Sequence, residues 1–245
     1  MFGKIESVPA YRIVCDAIQE RIMDGRMKAG DQLPTETELA EQFGLARHTV
    51  REGLRILEET GFVAREAGRR LFVKMPHYAE LAPRATRSLV LQRVTFRELW
   101  EVSHALEPQA AAGAARRVSR EDIAELEALH VEMLRLDGLG QSIIEIDIAF
   151  HTRIAEIAGN KALLLAREPI SLLFYPALER LLREPSHAEV SRRRMIEAHR
   201  HIIDALAAGI ADEAEAWMRR HMTDFRRGYE ICNFDMDAPL SHPSL

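Results

Sequence analysis

Two groups of residues in this 245-residue chain have the types and spacing to do chemistry. In "QSIIEIDIAFHTRIAEIAGN", residues 141–160, Asp147 and His151 stand four apart and so share one face of a helix. That face also carries Ile144, Ile154 and Ala158, which turns it toward an interior. His199 follows Ile196 and precedes Ile203 and Leu206 on an apolar stripe, whereas His201 falls on the polar side. His221 lies among Trp217, Met218 and Phe225. One carboxylate and three imidazoles thus project inward from three helices. Such donors suit a divalent Zn, Ni, Mn or Fe ion, and bundle cores house such sites. The competing reading makes each histidine a hydrogen-bonded core residue, but four such groups would each need a buried partner. Spacing alone leaves both readings open.

The second group is basic. "LARHTVREGLRILEETGFV", residues 45–63, puts Arg47, His48, Thr49 and Arg51 at the start of an apolar-periodic helix in a chain of net charge −5. Arg47 and Arg51 share one helical face, and an arginine can fork onto guanine O6/N7 or clamp a phosphate. Residues 47–74 hold seven Lys/Arg against four Glu, while residues 1–76 balance at 12 basic and 12 acidic. A local basic strip on a near-neutral module suits site-selective phosphate binding rather than indiscriminate coating of nucleic acid. The alternative, a merely solvated helix face, is weakened by the elements around the strip.

Those elements read as a winged helix-turn-helix. Residues 9–24 place Ile13, Ala17, Ile18, Ile22 and Met23 on one helical face, closed by Gly25. "MKAGDQLP" reads as a turn. Thr35 and Glu38 are spaced as a capping box, with free N–H groups at Thr35 that favour phosphate, and Gly44 ends that helix. A third helix runs to about Thr60, with Val50, Leu54 and Leu57 inward and Gly61 as its stop. "FVAREAGRRLFVK" alternates on each side of Gly68 and reads as a hairpin, with Gly68, Arg69 and Arg70 at a tip that can approach a DNA backbone. In this motif the second helix of the pair enters the major groove, so Thr35, Arg47, His48, Thr49, Arg51, Gly68 and Arg69 are the candidate DNA-binding residues.

Residues 77–94 carry no decisive pattern and read as a linker with possible helix. From residue 95 onward the segments are helical. Capping boxes stand at Thr95/Glu98 and Ser186/Glu189, Ser119 opens another helix, and two prolines should kink or split residues 161–182. The expected fold is mostly α: a winged helix-turn-helix domain at 8–76, the linker at 77–94, an all-helical bundle of six or seven helices at 95–232, and a frayed tail at 233–245. No eighteen-residue apolar run and no signal-peptide core are evident, and Cys15 and Cys232 are isolated, which together point to a cytoplasmic protein with reduced thiols.

"LPTETELAEQFGLARHTVREGLRILEETGFV" resembles the N-terminal signature of the GntR family of bacterial transcription regulators, over about residues 8–74. Two departures stand out. Ala46 occupies a position where the family usually has Ser, leaving the recognition helix without a side-chain cap, and Thr37 replaces a frequent arginine. Residues 95–230 resemble the FCD ligand-binding domain of the FadR-type subfamily, whose pattern has Asp-x-x-x-His followed by two single histidines. Asp147, His151, His199 and His221 match it position by position. The resemblance implies a metal with open coordination sites completed by a small organic acid. In "ELWEVSHALEP", Ser103 stands where the family usually has the arginine that holds the effector carboxylate, so Ser103, His104 or an arginine elsewhere becomes a candidate effector contact.

The expected function is therefore a metabolite-responsive transcription regulator, read as a repressor, binding a palindromic operator as a homodimer and controlled by a carboxylate at the metal. A metal-dependent enzyme is the rival from another class. It lacks an HExxH motif and an evident general base. A regulator whose metal is structural, or is itself the signal, is the third reading.

Overall fold

The computed structural model describes residues 8–66, 70–75 and 78–240. The chain divides into two compact units, Met1–His77 and Tyr78–Leu245.

The first unit contains α1 (Ala10–Met23), α2 (Glu36–Phe43), α3 (Arg47–Glu59), β1 (Val63–Glu66) and β2 (Arg70–Val73). The Thr35/Glu38 capping box forms at the start of α2, and Gly44 ends it in the left-handed region at φ 64°. Ala46 precedes α3 without a side-chain cap, as its methyl group requires. The inward face of α1 differs from the expectation. Val14, Cys15 and Ile18 are buried, while Ile13 and Met23 are exposed. Two apolar stripes overlap on α1, and Gly53 of α3 selects between them: a Cβ there would meet Tyr11 O at 2.9 Å and Val14 Cβ at 3.0 Å. The helices cross at this glycine. β1 and β2 pair antiparallel with Val63 opposite Val73 and Glu66 opposite Arg70. The segment read as a turn also adds to the wing, since Leu33 N donates to Leu71 O and Val73 N to Asp31 O, both at 2.8 Å. Gly68 and Arg69 lie outside the described residues.

The second unit contains α4 (Tyr78–Leu91), α5 (Phe96–Ala115), α6 (Arg120–Gly138), α7 (Ile144–Ile157), α8 (Lys161–Arg183), α9 (Ala188–Ala207) and α10 (Ala211–Ile231). Its main core joins Ala110, Ala111, Ala114 and Ala115 of α5 to Phe150 and Ile154 of α7, Ile202 and Leu206 of α9, and Met218 of α10. The alanines let α10 and α7 approach α5 closely. The capping boxes at Thr95 and Ser119 form. The Ser186 box does not: Ser186 donates to Glu184 Oε1, and His187 takes the cap position without a side-chain bond.

Of three further segments, the first takes the helical option left open for it and the other two depart from expectation. Residues 78–91 are a helix packed on α8, and the Thr86 hydroxyl lies 2.8 Å from Ala82 O and 3.0 Å from Pro169 O. α8 runs unbroken through Pro169 and Pro176, because α4, α5, α7 and α9 hold it along its length. The tail is packed as far as residue 240. Met236 is buried, its carbonyl accepts from Arg97 N at 2.9 Å, and Asp237 pairs with Arg97 at 2.7 Å.

Candidate functional site

α7 supplies Asp147 and His151 one turn apart, α9 supplies His199, and α10 supplies His221. All four are buried, His199 completely. One ligand atom from each lies within 4.8 Å of all the others. The Nε2 atoms of His151 and His221 are 3.1 Å apart, and His199 Nε2 is 3.3 Å from Asp147 Oδ1. That last pair is misdirected for a hydrogen bond. Asp147 Oδ1 and both ring nitrogens of His199 are left without a partner among the described residues. Buried polar atoms are almost always satisfied, so this concentration of orphaned lone pairs fits a cation at their centre better than a closed hydrogen-bond network.

Glu107, which the sequence reading missed, explains how His151 is aimed. From α5 its Oε2 lies 3.1 Å from His151 Nδ1, so that nitrogen carries the proton and Nε2 faces the cluster. On its other side Glu107 Oε1 accepts from Arg167 Nε at 2.6 Å, and Arg167 also reaches Glu168 and Thr152. Burial alone would raise the Glu107 carboxyl, but Arg167 and His151 outweigh it and hold it at about 2. Burial opposes ionisation of Asp147 in the same way, yet the surrounding imidazoles bring it to about 2. His221 is pushed well below its ordinary value by burial and then by His199 and His151. Burial lowers His199 as well. His151 goes the other way: burial would lower it, but Glu107 and Asp147 outweigh burial and raise it above its ordinary value. Ionised carboxylates and neutral imidazoles are the states a metal requires, so Asp147, His199 and His221 already hold them and His151 would release a proton on binding.

A cavity of about 60 Å³ opens beside the cluster. At roughly 10–15 Å³ per water, it has room for only a few heavy atoms. Asp147, His151, His221, Ser103 and Arg167 line its polar side, and Phe174 and Met195 are among the apolar residues opposite. Ser103, a candidate effector contact in the sequence, lines the cavity. His104 does not: one residue further round α5, its ring is tilted by 33° against Trp100, with centroids 4.6 Å apart, and lies 3.5 Å from Thr223 Oγ1. Arg167 and Glu107 carried a faint sequence signal. Each is a charged residue one turn from a serine among largely apolar buried residues, Arg167 four before Ser171 and Glu107 four after Ser103. His201 stays outside the cluster, stacked on Trp217 at 3.9 Å.

In the first unit Arg47, His48 and Arg51 are exposed at the start of α3, and Thr49 is partly so. The Thr35 hydroxyl is committed to the cap of α2. Beside the wing, Arg70 Nη1 donates to Gln32 Oε1 at 3.2 Å.

Comparison with known proteins accords with both units. Residues 10–73 match the gntR family of bacterial regulatory proteins, and residues 98–224 match the FCD domain. Over 204 residues the chain is 28% identical to the HTH-type transcriptional regulator LutR of Bacillus subtilis, covering 83% of this chain and 93% of that protein. It is 24% identical over 229 residues to the Glc operon transcriptional activator of Escherichia coli, covering 91% and 90%. The solved structure of a Streptococcus agalactiae GntR protein shares the fold, with TM-score 0.63, 23% identity, and 89% and 99% of the two chains covered. The chain belongs to the GntR family of bacterial regulatory proteins, with an FCD domain as its C-terminal unit, and is a transcription regulator rather than an enzyme.

Proposed function

We propose that this regulator represses transcription by binding a palindromic operator as a homodimer, and that a short carboxylate bound in the FCD unit weakens that binding. The observation that carries the effector half is the convergence of four buried donor atoms within 4.8 Å, with Asp147 Oδ1 and the His199 ring left without a hydrogen-bond partner among the described residues. Asp147, His151, His199 and His221 would hold a divalent metal. Such an ion would supply positive charge and open coordination positions for an anion. The chain's own residues complete the reading. Glu107 fixes the His151 ring, and Arg167 supplies in the cavity wall a guanidinium that Ser103 does not. Because Arg167 is already bound to Glu107 and Glu168, it offsets their charge and leaves attraction of the anion to depend on the metal. Arg47 and Arg51 would reach base edges or phosphates from α3. The cavity volume restricts the effector to a short acid.

A thermal-shift screen tests this reading, because a ligand of the folded state raises its melting temperature by mass action. Metal-loaded protein should be stabilised by one or more short carboxylates, and chelated protein should not. Stabilisation that is equal with and without metal would overturn it.

A further inference from the structure

Glu36, the first residue of α2, faces the next helix. Arg51 donates to one of its carboxylate oxygens, Oε2, from both Nε and Nη2, at 3.0 and 2.8 Å. Arg47 Nη2 lies 4.0 Å from the same oxygen. The capping of α2 does not need this carboxylate, since Glu38 fills that role by accepting from Thr35 N. Stability does not call for it either. The Arg51 side chain is 62% exposed, and exposed ion pairs contribute little to stability. What the contact does is orient an otherwise floppy side chain. The Nε–Nη2 edge of Arg51 is occupied by Glu36, which leaves the terminal Nη1/Nη2 fork facing away from the carboxylate. That fork has the spacing of guanine O6 and N7. The negative charge of Glu36 also disfavours a phosphate at the same place.

We propose that Glu36 is a positioning residue that makes Arg51 a reader of guanine rather than a clamp for phosphate, and so sets one base of each half-site. This rests on α3 being the helix that enters the groove. α2 carries no Lys or Arg, so no neighbouring cation on that helix duplicates or neutralises the effect.

The full-length protein is used to select duplexes from a random pool. Affinities are then measured for the selected duplex, for versions with each base pair replaced in turn, and for a scrambled duplex. The parent should prefer G·C over the alternatives at one position per half-site by tenfold or more, and Arg51→Ala should remove that preference. Glu36→Gln should reduce it at least fivefold while leaving other positions unchanged, and should bind the scrambled duplex two- to fivefold more tightly. Glu36→Asp keeps the charge but shortens the reach. It should lose the guanine preference without the gain in binding to scrambled DNA. If Arg51→Ala loses the preference and Glu36→Gln keeps it, the positioning role is wrong and the placement of α3 stands. If Arg51→Ala also keeps it, the placement of α3 in the groove is wrong and the inference falls with it.

Discussion

The imidazole of His199 has no solvent contact and no hydrogen-bond partner for either nitrogen among the described residues, so its place in the core demands something else at the centre of the cluster. His199→Ala and His221→Ala should each lower the metal content of purified protein, because each removes one of four donors. His201→Ala should not, since that ring stacks on Trp217 away from the cluster. Elemental analysis of the three variants checks this, and equal metal in all of them would contradict it. The four clustered residues were legible in the sequence because each breaks an apolar helical stripe. Glu107 was not, because its meaning comes from His151 and Arg167, 44 and 60 residues away. Its carboxyl is held at about 2 in the folded chain, below the ordinary value of 4.5. A depressed carboxyl adds stability above its ordinary value, and that stability is lost as pH falls from about 4.5 toward 2. The full contribution is on the order of 3 kcal/mol. In chelated protein Glu107→Gln should therefore melt below the parent near neutrality, and the gap should narrow through that window. A gap independent of pH would show that Glu107 is not held ionised.

Among the elements, the helices that open on a strong cap were read correctly, as α2, α5 and α6 show, and uncapped α3 was legible from its apolar stripe alone. α4 was left open, as a linker with possible helix, because its inward residues include Ala82 and Thr86, a weak stripe interrupted by Pro83. The Ser186 cap was wrong because Glu184 captures that hydroxyl first. The inward face of α1 was misassigned because its partner, α3, approaches at a glycine whose role no local pattern announces. That crossing yields a direct prediction. Gly53→Ala places a methyl group 2.9 Å from a backbone oxygen, so α1 and α3 must separate. The cost should be about 1–3 kcal/mol, despite the better helix propensity of alanine. Urea unfolding followed by circular dichroism measures it, and an unchanged or stabilised protein would contradict the packing described.

At the scale of the whole molecule, a DNA-reading unit and an effector unit are joined in one chain, and both were legible because each carries a dense motif. Neither composition nor motif shows how the units communicate. The single α3 helix spans too few bases for selectivity, so two copies on an imperfect palindrome are expected, with affinity falling steeply as salt is added. Sedimentation of the saturated complex should give two chains per duplex, and one chain per duplex would contradict it. Effector control then requires differential affinity: a tenfold change in operator binding needs about 1.4 kcal/mol of coupling between the sites. With Ser103 in the cavity wall and Arg167 already engaged by two carboxylates, that coupling is expected to depend on the cation that Asp147, His151, His199 and His221 would hold. The most direct test is operator release by a stabilising carboxylate, titrated against metal-loaded and chelated protein. Release is expected from the loaded protein, and retained DNA binding with little or no release from the chelated one. Release at the same carboxylate concentration from both would contradict it.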